Sequence, residues 1–170
     1  MRKMLYILGE LEDSDLQWLL DAGSPRPVTG GEQIIREGSH NDELFIVVDG
    51  DLAVTRAGQE IAHLGAGEVV GDMSLLDSRP PTATVEASQD SIVHAIPQAR
   101  LRSKLRSDSE FAARFYRALC IFLANRLSQG GGPRTAADPG AEEEISPDVL
   151  EAVALAGARF DWFLQRVKSG

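Results

Sequence analysis

The sequence predicts a mostly β fold, a barrel or sandwich of short strands with helices before and after it. Between Val28 and Ile96, short apolar runs alternate with glycine turns, the punctuation of an all-β domain. Ahead of that region lies a short capped segment rich in leucine. Beyond Pro97, apolar residues recur at helical spacing.

The first element is a short helix over residues 11–20. Asp13 or Ser14 is its expected cap and Gly23 its stop. Leu16, Leu19 and Leu20 share one face, and Pro25 and Pro27 then break helicity. Strands are expected at 33–36, 44–48, 52–56, 60–64, 82–87 and 91–96. Between them stand Gly30-Gly31, Gly38, Asp49-Gly50, Gly58, Gly65 and Gly67, residues suited to the positive φ of tight hairpins. A long helix follows, capped by Asp108 or Ser109 and running to about Leu127. Its apolar stripe is Phe111, Phe115, Ala118, Leu119, Phe122 and Leu123. Cys120 lies near that stripe and is expected to be a buried small hydrophobe.

Composition divides the chain into a domain over 1–128, a flexible linker over 129–145 and an amphipathic C-terminal helix over 146–170. The linker is rich in Gly, Pro and Glu, too polar to order itself. The last helix should begin with Ser146 as N-cap and Pro147 as its first residue. Val149, Val153, Ala156, Phe160, Phe163 and Val167 fall on one stripe. A helix so apolar must dock on its own barrel, a second protomer or a partner protein.

With 170 residues and a net charge of −9, the chain lacks the basic face that nucleic acid or an anionic membrane surface requires. Its single cysteine allows no intrachain disulfide and fits a cytoplasmic setting. No apolar run approaches the ~20 residues of a membrane span.

The informative segment is Gly67–Val85. It reads as a strand ending in Val70, a glycine turn at Gly71, a helical turn Asp72-Met73-Ser74-Leu75, a loop with Arg79, and a second strand from Thr82. Gly71 lets the backbone approach a bound group. The amides that follow suit an anion, and Asp72 suits a sugar hydroxyl.

The blocks 31–38, 42–52 and 67–85 together resemble the cyclic-nucleotide-binding domain. The family includes the ligand domain of catabolite activator protein and the regulatory subunits of cyclic-AMP-dependent kinases. The resemblance covers roughly residues 8–127. It implies an eight-stranded jelly-roll β-barrel with flanking α-helices and C-terminal helices, and a cyclic nucleotide, cAMP or cGMP, held by a phosphate-binding cassette. Carried over by position, the ligand-binding residues are Val70, Gly71, Asp72, Met73, Ser74, Arg79, Pro81, Thr82 and Ala83. Asp72 would meet the ribose 2′-hydroxyl, where the family usually has glutamate. The amides of Ser74 and Ala83 would meet the cyclic phosphate, and Thr82 the phosphate or the base.

The family's phosphate-neutralising arginine position holds Pro81, which has neither charge nor N–H. A charge-assisted hydrogen bond contributes ~1.5–3 kcal/mol, a loss of roughly ten- to a hundredfold in affinity. Arg79, two residues upstream, is either a substitute or a solvated loop arginine.

No catalytic constellation is expected: there is no nucleophile elbow and no GxxxxGK[ST] loop. His40, His63 and His94 lack metal-ligand spacing, and His63 with Glu68 is only a faint echo of a cupin site. Arg100, Arg102, Lys104 and Arg106 read as a solvated basic face. The expected function is non-catalytic: reversible sensing of a cyclic nucleotide, with output through the C-terminal helices to a partner protein or a second copy in a homodimer. The alternative is a ligand-free barrel acting as an interaction adaptor.

Overall fold

The computed structural model describes residues 3–76, 79–130 and 147–169. Helices α1 (Lys3–Glu10) and α2 (Asp13–Ala22) open the chain. Eight strands follow: β1 (Ser24–Val28), β2 (Gln33–Ile35), β3 (Glu43–Asp49), β4 (Asp51–Arg56), β5 (Gln59–Gly65), β6 (Val69–Val70), β7 (Thr84–Ala87) and β8 (Ser91–Pro97). The helical turn α3 (Asp72–Leu76) joins β6 to β7. Helices α4 (Gln98–Ser107), α5 (Ser109–Gly130) and α6 (Pro147–Ser169) end it.

The strands form two four-stranded antiparallel sheets, ordered β1-β8-β3-β6 and β2-β7-β4-β5. The jelly-roll expectation holds as two facing sheets rather than one closed ladder. Strand alternation explains the packing. Phe45, Val47, Val70, Val93 and Ala95 of the first sheet meet Ile35, Leu52, Val85 and Ala87 of the second. The opposite face of the first sheet (Leu44, Ile46, Val48, Ile96) packs on the helices through Leu8, Leu16, Leu19, Leu101, Phe111 and Phe115.

β1 corrects the reading of Pro25 and Pro27 as simple breaks. They pair with His94 and Ile92 across the ladder to β8. Because they are two residues apart, both missing N–H groups fall on the same side. That side is the outer edge of an edge strand, the position where a sheet tolerates proline.

The cap of α2 is Glu12, not Asp13 or Ser14. The Glu12 amide donates to the Asp15 carboxylate at 2.9 Å, and Arg114 of α5 grips the same carboxylate at 2.8 and 3.1 Å. Asp15 is buried, and this choice of cap lets one carboxylate serve both the helix start and the α2–α5 contact. Asp108 caps α5 as expected, accepting from the Phe111 amide at 2.9 Å. Phe111, Phe115, Ala118 and Leu119 are buried. Cys120 is exposed instead of buried. It stands nine residues after Phe111, about two and a half turns, and so points away from the buried side.

The expected linker lies, after Gly130, largely outside the described residues, as does the cap position Ser146. The described part of α6 docks on its own domain. Ala156, Phe160, Phe163 and Val167 are buried, and the helix packs on α1, α2 and β1. Arg159 donates to the carbonyls of Leu8 at 2.9 Å and Leu11 at 2.7 Å and pairs with Asp13 at 3.0 Å. It thereby satisfies the Leu8 carbonyl in the last turn of α1 and the Leu11 carbonyl that follows the helix, and joins them to the start of α2.

Candidate functional site

β6 lies on the edge of the first sheet, paired with β3 through Phe45↔Val70. β7 lies inside the second, between β2 and β4. The segment 71–83 therefore crosses from one sheet to the other. Gly71 permits this turn with φ +89°, and a Cβ there would collide with the Glu43 carbonyl oxygen. Only glycine meets both demands without strain.

The first arm of the crossing is Val70–Ser74. Val70, Asp72, Ser74 and Leu75 are buried, whereas Met73 is 61% exposed. Helix α4 fixes this arm. The buried Gln98 donates through Nε2 to the Gly71 carbonyl at 3.0 Å and the Glu43 carbonyl at 3.3 Å. Arg102 donates to the Ser74 carbonyl at 2.8 Å and to Gln98 Oε1 at 3.0 Å.

The second arm runs from Arg79 to Ala83. Arg79 and Thr82 are exposed; Pro81 and Ala83 are half-buried. The Pro81 carbonyl accepts from the Gly38 amide at 2.8 Å, and the following Thr84 hydroxyl accepts from the Glu37 amide at 3.0 Å. Both bonds lead to the segment after β2. Arg56, the last residue of β4, donates to the Thr82 carbonyl at 3.2 Å and its hydroxyl at 3.4 Å. The expected site residues thus sit on two separately anchored arms.

Gln98 and Arg56 were not among the expected site residues, and Arg102 was expected only on a solvated basic face. Nothing in the pattern marked Gln98. Arg56 carried a usable signal, because it continues the Leu52, Val54 alternation and so occupies their face of β4. The basic run of α4 is not the solvated face expected. Arg100 caps α2 through the Asp21 and Ala22 carbonyls at 3.1 and 3.0 Å. Lys104 pairs with Asp108 at 2.8 Å and lies over the Trp18 and Phe111 rings. Three of these cations therefore tie α4 to α2, α3 and α5.

On β1, Arg26 lies over the Phe45 ring, 5.9 Å from its centroid, and pairs with Glu32 at 2.8 Å and Glu43 at 3.4 Å. The Thr29 amide, followed by Arg26, holds Glu32 below the ordinary carboxylate value. His63 bonds Asp51 at 2.7 Å and Glu60 at 2.9 Å, not Glu68. Those two carboxylates raise its pKa, Asp51 most. Among the described residues no group of three or more His, Cys, Asp or Glu is placed to hold a metal. Among them, too, no helix is long and apolar enough to cross a membrane.

Two facing sheets, flanking helices and an anchored glycine-turn crossing define a jelly-roll domain. Residues 25–108 match the family model of the cyclic nucleotide-binding domain. Over those residues the chain belongs to that family. It is 38% identical over 60 residues to the cGMP-dependent protein kinase egl-4 of Caenorhabditis elegans, covering 35% of this chain and 8% of that protein. It is 36% identical over 90 residues to the cAMP-dependent protein kinase regulatory subunit of Mycosarcoma maydis, covering 51% of this chain and 16% of that one. The chain thus spans a small part of either relative. In fold it resembles a cyclic nucleotide-binding domain from Methylobacillus flagellatus, with TM-score 0.66 and 22% identity, covering 75% and 78% of the two chains.

Proposed function

We propose that the chain is a non-catalytic regulatory unit that binds a cyclic nucleotide, cAMP or cGMP, between the two arms of the 71–83 crossing. The supporting observation is the Gly71-Asp72 turn, with Asp72 buried directly after a backbone position closed to any side chain, within a segment of the cyclic nucleotide-binding family. Asp72 would accept from the ribose 2′-hydroxyl. Val70, Gly71, Met73 and Ser74 would face the sugar and phosphate from one side, and Arg79, Pro81, Thr82 and Ala83 from the other. Relatives that carry this domain are named as cAMP- and cGMP-dependent kinase components, which favours a regulatory role.

Output would pass through α4. The same short helix holds the cassette through Gln98 and Arg102, α2 through Arg100 and the α5 cap through Lys104. Movement of the cassette would therefore be felt by the helical layer, and through it by a partner protein or a second copy. The setting we infer is the cytoplasm, with neither nucleic acid nor membrane as partner.

Calorimetric titration with cAMP and cGMP tests the reading. We expect saturable binding in the micromolar range, lost in Asp72→Ala. No heat at millimolar nucleotide, from a folded protein, would refute it. Pro81, uncharged where the family's arginine stands, favours a second reading, a ligand-free interaction adaptor, and that result would leave it standing.

A further inference from the structure

A cyclic nucleotide carries one phosphate negative charge, and this chain has a net charge of −9. A cation beside the phosphate would favour bringing the two together, and Pro81 cannot supply one. The structure places another cation one residue away. Arg56 stands on the face of β4 that carries Leu52 and Val54, residues packed with the cluster between the sheets. Its guanidinium bonds the Thr82 carbonyl and hydroxyl. Both acceptors are neutral, so these bonds hold the group without cancelling its charge.

The hairpin that presents Arg56 is itself fixed. Ala57 and Gly58 form a two-residue turn with φ +50° and +78°, the geometry of a type I′ hairpin. The Ala57 amide donates to the Glu37 carboxylate at 2.9 Å. Glu37 in turn donates its own amide to Thr84, at the end of the second arm. Hairpin and arm are thus pinned to a common residue, and Arg56 is oriented before any ligand arrives. Preorganisation of this kind reduces the entropy lost on binding.

We propose that Arg56, delivered from the β4–β5 hairpin, supplies the cation for the cyclic phosphate in place of the arginine that Pro81 replaces. This rests on the nucleotide-binding reading above. It assigns the phosphate partner to a different strand from the cassette.

The test is calorimetry of the full chain with cAMP and cGMP, using adenosine and guanosine as uncharged probes. Arg56→Ala should weaken cyclic-nucleotide binding about ten- to a hundredfold and leave nucleoside binding within about twofold. Arg56→Gln, which keeps a donor for Thr82 but no charge, should lose as much, and Arg56→Lys should recover part of it. Adding Pro81→Arg to Arg56→Ala should restore affinity. If the unaltered chain binds cyclic nucleotide and both Arg56→Ala and Arg56→Gln bind equally well, the assignment of Arg56 is wrong and the sensing function stands. If the unaltered chain binds neither nucleotide, both proposals fall together.

Discussion

The Arg102 guanidinium donates to the Ser74 carbonyl at 2.8 Å, fixing α3 of the cassette to α4. Arg102 makes this bond from outside the crossing, so it would act on a ligand by holding α3 in place. Arg102→Ala should weaken nucleotide binding by about three- to tenfold, the value of one hydrogen bond, with Arg102→Lys intermediate. Titration of the three proteins at equal ionic strength checks this.

Gly71→Ala should be more damaging. The substitution adds a Cβ against the Glu43 carbonyl at φ +89°, so it combines a steric clash with a backbone strain of about 1–2 kcal/mol. We expect a lower thermal midpoint and loss of nucleotide binding together. An unchanged midpoint would mean that the crossing rearranges without cost.

His94 and His63 should give opposite pH signatures. His94 is buried, its Nε2 donates to the Leu19 carbonyl at 3.1 Å, and its ring meets Phe163 edge-on. Burial lowers its pKa below 6.5, only partly countered by the Leu19 bond. The neutral form is therefore the folded one. Its stability contribution is complete above about pH 6.5 and is lost as pH falls through the lower folded value. His63 has a raised pKa, so its contribution is complete below about pH 6.5 and is lost as pH rises through the higher folded value. Solvent damps that effect, since the ring is 53% exposed. Denaturant midpoints measured from about pH 5 to pH 8 should fall on the acid side. His94→Gln should flatten that limb. A slope unchanged by the substitution would assign it to the carboxylates.

Phe163→Ala should cost about 3 kcal/mol, as expected for emptying a fully buried aromatic site. Urea unfolding measures the loss. Arg159→Ala should make α6 more accessible to limited proteolysis, because it removes the bonds to Leu8, Leu11 and Asp13. If α6 is cleaved equally in both proteins, Arg159 is not what holds it.

The strand pattern and the turn at Gly71 were legible because glycine turns and period-2 alternation are local signals. Gly71 announced a turn, and it stands at one with φ +89°; the burial of Asp72 had no local signal. Edge placement was not legible. Pro25 and Pro27 look like breaks until β8 supplies the ladder. Nor were the tasks of Arg100, Arg102 and Lys104, since each reaches an element distant in sequence and a local count of charges cannot tell a tie from a solvated face. Arg56 lay between these cases: its side of β4 could be inferred, but its bond to Thr82 depends on a pairing between β4 and β7 that only the fold creates. Cys120 was misjudged because proximity to a stripe is not membership of it, and half a turn decides.

The prolines of β1 have one more effect. An exposed strand margin is a template on which another molecule's strand can grow, the usual first step towards fibrils. Here that margin is blunt, because two of its hydrogen-bond donors do not exist. The domain can keep its first sheet open on that side and still resist stacking edge to edge at high concentration.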